Sequence, residues 1–454
     1  MSLRSPGIPG RMRRPRIAFL CGNLTPDQDG VADYTVRLAH ALRDEVDPVL
    51  VTASEVATGP GRGEVSGSAD VFSSVVDLRG IGWGPRAVPA AARGLRRAAP
   101  DVVHVQFAPS AFGFSPAVGL LPALTGRRVR WLTTLHEYGW WSWPSWPPAW
   151  AWRRCERGIG GRRATARWDR ETLLLGPRSA GLVVTNPEHA AMVRGRLGVE
   201  PHTIPLPPNV APACERASVA EAPRSAGRAS ADAQPADRDR RARARADLRR
   251  RIGGHPDDPV LVFFGFVHPV KGVRYLLDAL AMLAVDHPGL RLVVAGGFTS
   301  RALPAPEADA FRRELAGHAR AAGVADRVTF TGHLPAAEVS RVLLGADACV
   351  LPFTAGVTGR SGALAAALAH GVPTVVTAAD PPDPDLADGR TVVVVRGVRD
   401  PVPLAAGIRR VIADADLRAA VAAGGRALVA ERDWPAVAQA HLRLYQRLVA
   451  AEGR

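Results

Sequence analysis

Residues 346–377 read ADACVLPFTAGVTGRSGALAAALAHGVPTVVT. The apolar run 348–351 has the length of a buried strand, the Gly- and Thr-containing run after it reads as a loop, and 374–377 reads as a second strand. Between them Leu364 and Leu368 recur one helical turn apart, with alanines filling the rest of the segment. Gly371 falls where a helix terminates, and Pro373 prevents continuation. Gly359, Ser361 and Gly362 open the helix, where unpaired N–H groups and the positive dipole end suit an anion. The pattern is a βαβ unit of a parallel sheet. A Gly-rich helix start of this kind serves equally as an ordinary connection or as a phosphate site.

A second stretch repeats the logic. Residues 260–272, VLVFFGFVHPVKG, form a buried strand that leads through a loop to Lys271 and Gly272. A helix follows, with Tyr275, Leu276, Ala279, Leu280 and Leu283 on one face. A lysine at a helix start is usually only solvated.

Taken together, these stretches resemble the donor-binding core of the family 4 glycosyltransferases, which have the GT-B fold. The family run reads roughly P-S-x-x-E-G-F-G … E-A-M-A-x-G-x-P-V-V, and Ala366-Ala367-Leu368-Ala369-His370-Gly371-Val372-Pro373 is similar to its second half. The family segment F-x-G-R-x-x-x-x-K-G is matched at Gly265, Lys271 and Gly272, with Phe266 where the arginine stands. Thr358 and Ala366 occupy the positions of the two usual glutamates, so the ribose and donor-sugar contacts implied for those carboxylates lack their usual side chains. A basic-loop variant of the family is closer, with Arg360 in place of the first glutamate. Gly332-His333-Leu334 resembles the turn that contacts the base.

The resemblance implies two Rossmann-like β/α/β domains facing across a cleft, with a C-terminal helix crossing back. It implies donor contacts from Gly30, Gly265, Lys271, Leu334, Thr358, Arg360, Ser361 and Gly362. It further implies retention of anomeric configuration, no cofactor beyond the nucleotide-sugar substrate, and no required metal. Asp383 and Asp385 have an Asp-x-Asp spacing but sit in a Pro-rich loop and read as solvated.

Ahead of this core, the run 16–20 is a first strand, and CGNLTPDQDG (21–30) opens a helix with apolar Val31, Tyr34, Leu38, Ala41 and Leu42. The loop serves as a plain connection or, by the resemblance, as the glycine-bearing approach to donor phosphates through Gly30. The run 71–78 is a short strand, and DVVHVQF (101–107) is a buried parallel strand. The next strand, 130–135, ends in His136-Glu137. Polar residues at the carboxyl ends of parallel strands lie on the ligand side of an open sheet, which draws attention to His104, Gln106, His136 and Glu137. In the family the first of these strands often ends H-x-H; here Gln106 replaces the second histidine. Gln106 and His136 are the candidate catalytic pair that would orient the donor sugar or the acceptor hydroxyl, and a structural role is open for each.

Residues 140–152, WWSWPSWPPAWAW, are followed by an Arg-rich run. Prolines forbid a regular helix there. Trp140, Trp141 and Trp143 suit an acceptor surface, a membrane interface, or a loop packing its own indoles.

The chain has 454 residues, 47% of them hydrophobic, enough for two domains. Its four cysteines stand apart, without a CxxC pair, so neither a disulfide framework nor a zinc site is indicated, and a reducing, cytoplasmic setting is the default. No secretory signal and no membrane-spanning run is legible. The net charge of +15 admits nucleic-acid binding, peripheral attachment to an anionic membrane face, or Arg/Ala compositional bias. No zinc-finger, RRM or KH signature supports nucleic acid as a partner. The expected layout is a disordered basic tail (1–15), an acceptor-side domain (16–209), a low-complexity linker (210–258) with a helical piece over 237–251, a nucleotide-sugar domain (259–432) and a helix packing back at the junction (433–454). The expected partners are a nucleotide-sugar and a glycan, lipid or small-molecule acceptor. The rival reading is a weakened GT-B protein that binds a partner, or a basic membrane- or nucleic-acid-binding protein on this scaffold.

Overall fold

The computed structural model describes residues 13–25, 29–53, 70–126, 129–139, 141, 150, 167–212, 233–299, 303 and 305–450. The expected tail lies mostly outside the described residues, as do Trp140, Trp143 and the first part of the expected linker.

The chain forms two units. The first comprises Met1–Ile204 and Val437–Arg454, the second Pro205–Ala436. In the first unit a parallel sheet runs in the order β3 (Ser74–Asp77), β2 (Asp47–Thr52), β1 (Arg16–Cys21), β4 (Val102–Phe107), β5 (Arg130–Leu135), β6 (Gly181–Val184) and β7 (His202–Thr203). The central strands are apolar runs because helices cover both faces of such a sheet. Val103, Val105 and Phe107 enter the core on one face, which leaves His104 and Gln106 on the other. The register places Gln106 beside Thr134 of β5, so these polar residues share that face. The strand expected over 71–78 contracts to the largely exposed edge strand Ser74–Asp77. The last helix, Trp434–Ala450, buries Val437, His441, Leu442, Leu444 and Tyr445.

The second unit has the parallel order β10 (Val328–Gly332), β9 (Arg291–Ala295), β8 (Val260–Phe264), β11 (Ala348–Leu351), β12 (Thr374–Thr377) and β13 (Val393–Val395). The quoted stretch is the unit β11, helix Gly362–Ala369, β12. In both sheets the strand order reverses once near the middle, between β1 and β4 and between β8 and β11. A ligand crevice in an open α/β sheet opens at the carboxyl ends of the strands at such a point.

One expectation is corrected. Residues 233–251 of the expected linker are a helix of the second unit, starting four residues before the anticipated piece. Composition argues against order because the segment has little apolar bulk. The helix instead buries Ala244 and Leu248, and Gly345 permits the close approach: a Cβ there would meet the Ala244 carbonyl oxygen at 2.6 Å. Arg249, only 2% exposed, bonds Asp347 Oδ2 at 2.6 Å and the Gly345 carbonyl at 3.2 Å. Paired charge and backbone contact replace the missing hydrophobic surface.

Candidate functional site

In the second unit the loops after β8 and β11 meet at the switch point. Gly272 has φ +71°, and a Cβ there would meet the Pro352 carbonyl oxygen at 1.9 Å, so only glycine lets the two loops touch. The Thr354 N–H donates to the Val270 carbonyl at 2.9 Å and completes the stitch. This places Lys271 Nζ 3.7 Å from the centroid of the Phe353 ring. Among the described residues no carboxylate pairs with Lys271. Burial pushes its ammonium down to about 8. A cation over an aromatic face, without a counter-ion, suits an incoming anion. Gly265 belongs to the same place, since a Cβ on it would sit 3.5 Å from the Ala363 side chain at the helix start.

The helix start is partly occupied by the protein itself. Ser361 is the N-cap, its hydroxyl accepting from the Leu364 N–H at 3.2 Å. The Gly359 N–H donates to Asp383 Oδ2 at 2.7 Å, and the other carboxylate oxygen accepts from the Asp385 N–H at 3.0 Å. Asp383 is therefore not simply solvated: a carboxylate satisfies the orphan amide of the glycine loop. Gly362 remains open on one side, with Asn209 atoms 3.7 Å from where a Cβ would stand. The Asn209 Oδ1 is buried and has no hydrogen-bond partner among the described residues. Sequence reasoning misses Asn209 and Asp383 as site residues because only folding brings them to the loop. Arg360 is exposed and its Nε bonds the Thr358 hydroxyl at 3.2 Å, so Thr358 steadies the arginine rather than replacing a carboxylate. Leu334 is half-buried against the core, after the Gly332 turn.

In the first unit Gln106 and His136 come together: His136 Nε2 lies 2.8 Å from Gln106 Oε1. A carbonyl oxygen only accepts, so His136 carries its proton on Nε2 and keeps a lone pair on Nδ1. Burial, then the nearby His441 and His189 charges, push its pKa down to about 3, so the ring is neutral. His104 is fully buried between Tyr445 Oη and Thr134 Oγ1, each at 2.7 Å. Tyr34 packs edge-on against His136 with ring centroids 4.8 Å apart. Glu137 accepts from Ser110 at 3.4 Å.

The turn after β5 is fastened at Gly139. Its N–H donates to Glu171 Oε2 at 2.8 Å and its carbonyl accepts from Arg196 at 3.0 Å. Glu171 and Arg196 pair at 2.9 Å. Gly30 begins its helix behind the Asp29 cap, with open space where a Cβ would stand. The crowded glycine of that loop is Gly22, where a Cβ would meet the Ala111 carbonyl at 2.3 Å. Trp141 lies tilted beside Phe114, with ring centroids 6.3 Å apart. Among the described residues no group of His, Cys, Asp and Glu is arranged to hold a metal ion, and no helix is long and apolar enough to cross a membrane.

Comparison with known proteins agrees with this fold. Residues 28–210 match the family model described as Glycosyltransferase Family 4, and residues 258–414 match that described as Glycosyl transferases group 1. A D-inositol 3-phosphate glycosyltransferase of Geodermatophilus obscurus is 33% identical over 196 residues, 42% of this chain and 40% of that protein. One of Xylanimonas cellulosilytica is 34% identical over 210 residues, 45% of this chain and 46% of that protein. The matches thus span less than half the length of these relatives. Among solved structures, sucrose-phosphate synthase from Thermosynechococcus elongatus superposes with a TM-score of 0.65 at 19% identity, covering 96% of this chain and all of that one. HepE of Anabaena, solved with UDP and glucose, gives 0.66 at 15% identity, covering 95% of this chain and all of that one. At such identity these two structures speak for the fold alone.

Proposed function

The chain belongs to the family 4 glycosyltransferases of GT-B fold, and from that premise we propose that it moves a sugar from a nucleotide-sugar donor onto an acceptor. The observation that carries this reading is Lys271, a half-buried cation without a carboxylate partner among the described residues, at the switch point of the second sheet. There it would neutralise the charge that grows on the departing diphosphate. The helix-start amide of Gly362 and the exposed Arg360 would share that charge, so the reaction needs no metal and no cofactor in this reading. Gln106 would hold His136 in its Nε2–H form, leaving the Nδ1 lone pair to orient a donor or acceptor hydroxyl. The buried thiols of Cys21 and Cys349, neither of them bridged in a disulfide, support a reducing, cytoplasmic setting. Trp141 beside Phe114 supports an acceptor or a peripheral membrane contact on the first unit.

The test is release of nucleoside diphosphate from UDP-, GDP- and ADP-sugars, offered with and without a panel of sugar and polyol acceptors. One donor class is expected to turn over, and Lys271→Ala to lower kcat/KM by roughly 10–100-fold, the scale of a lost charge-assisted contact. Equal turnover by the variant would remove Lys271 from the mechanism. Absence of release from every donor would overturn the transferase reading.

A further inference from the structure

The buried polar cluster on the first sheet is completed by the last helix, and the proposed mechanism uses only two of its members. His104 is engaged at both ring nitrogens, by Tyr445 Oη and Thr134 Oγ1, each at 2.7 Å. Burial and the neighbouring His441 and His136 keep it neutral. A ring bonded at both nitrogens within its plane cannot turn. The Gln106 amide nitrogen lies 3.3 Å from Nδ1 and 3.2 Å from Nε2 of that ring. Near-equal distances to both nitrogens put the amide over the ring face, not in its plane. With its NH2 end on that platform, Gln106 directs Oε1 at His136 Nε2, 2.8 Å away. The polar run therefore passes from the last helix through β4 to the residue that follows β5. His136 is its half-buried end, and Tyr445, His104 and Gln106 are shut away from solvent.

We infer that Tyr445 is a positioning residue: acting through His104 and Gln106, it fixes the tautomer that His136 presents to the substrate. The last helix is then part of the transfer site, not only a clamp on the fold. Its companion His441 is tied to its own helix through the Val437 carbonyl at 2.9 Å, which leaves the positioning role to Tyr445.

This inference rests on the role proposed for His136, but its primary readout does not depend on turnover. Long-range nitrogen–proton NMR of histidine-labelled full-length protein separates Nε2–H from Nδ1–H imidazoles. Wild-type His136 is expected as a single Nε2–H tautomer, assigned by its loss in His136→Asn. In Tyr445→Phe, which keeps the ring and loses only the hydroxyl, a mixture of the two tautomers is expected. Alongside it, kcat should fall about 5–20-fold with little change in donor KM, since the lost orientation acts on the reacting geometry. A single Nε2–H tautomer in Tyr445→Phe overturns the inference, as does Nδ1–H in the wild type. Thr125→Ser, a change on the same unit at a buried residue whose hydroxyl bonds the Leu121 carbonyl, should leave the tautomer intact and controls for a general loss of packing. If no donor turns over in any protein, the transferase reading fails while the tautomer comparison still decides the role of Tyr445.

Discussion

At Lys271 two effects act in the same direction: burial disfavours the charge, and no carboxylate among the described residues restores it. The Lys-Gly pair is legible in the sequence, because a lysine closing a strand–loop unit before a helix is a local pattern. Its isolation from carboxylates is not legible, since that depends on which loops fold beside it. The same holds for Gln106 and His136. Their positions at strand ends can be read, whereas the 2.8 Å contact follows from the register of β4 on β5. Nothing local marks Glu171, and its role emerges only in the folded chain. Burial pushes its carboxyl up from 4.5 to about 7, despite the Gly139 amide and Arg196. Between those values the folded chain binds more protons than the unfolded one. Its contribution is therefore fully present below pH 4.5 and lost as pH rises toward 7. Denaturant melts at pH 5 and pH 7.5 should show the decline, and Glu171→Gln should flatten it. An unchanged slope in the variant would assign the pH dependence elsewhere.

Among the elements, the βαβ unit around 346–377 is legible because three local signals agree: the strand run, the helix cap and the terminating Gly-x-Pro. The last helix is legible from its period, with Val437, His441 and Tyr445 buried as the spacing requires. The helix Ala233–Arg251 is only half legible. Its propensity for helix can be read, but its attachment depends on Gly345 and Asp347, about a hundred residues away. Arg249→Ala is expected to cost roughly 2 kcal/mol, because it empties a buried position and takes one charge-assisted bond from Asp347 Oδ2, leaving that oxygen the Val260 N–H and the other oxygen Arg245. Arg250→Ala, which removes only an exposed pair with Asp247 one turn back on the same helix, should cost under about 0.5 kcal/mol. Equal melting temperatures for the two variants would deny the helix its anchoring role.

For the molecule as a whole, the two parallel sheets and the family are readable from motifs that follow strand ends, and the strand orders place those motifs at the reversal of each sheet. The net charge of +15 is a poorer guide. Several arginines turn out to serve the fold, as Arg249 and Arg245 do at Asp347 and Arg196 does at Glu171. The acceptor is not legible, since a Trp-rich composition does not specify what the indoles contact. The most direct test of donor binding is calorimetric titration with UDP, GDP and ADP at pH 7 and pH 9, for the wild type and Lys271→Ala. One nucleotide is expected to bind well at pH 7 and more weakly at pH 9, where a lysine of pKa about 8 has lost its proton. Lys271→Ala is expected to bind it roughly 10–100-fold more weakly at pH 7 and to lose most of that pH dependence. Binding that is indifferent both to the substitution and to pH would contradict the role assigned to Lys271 as the cation of the donor site.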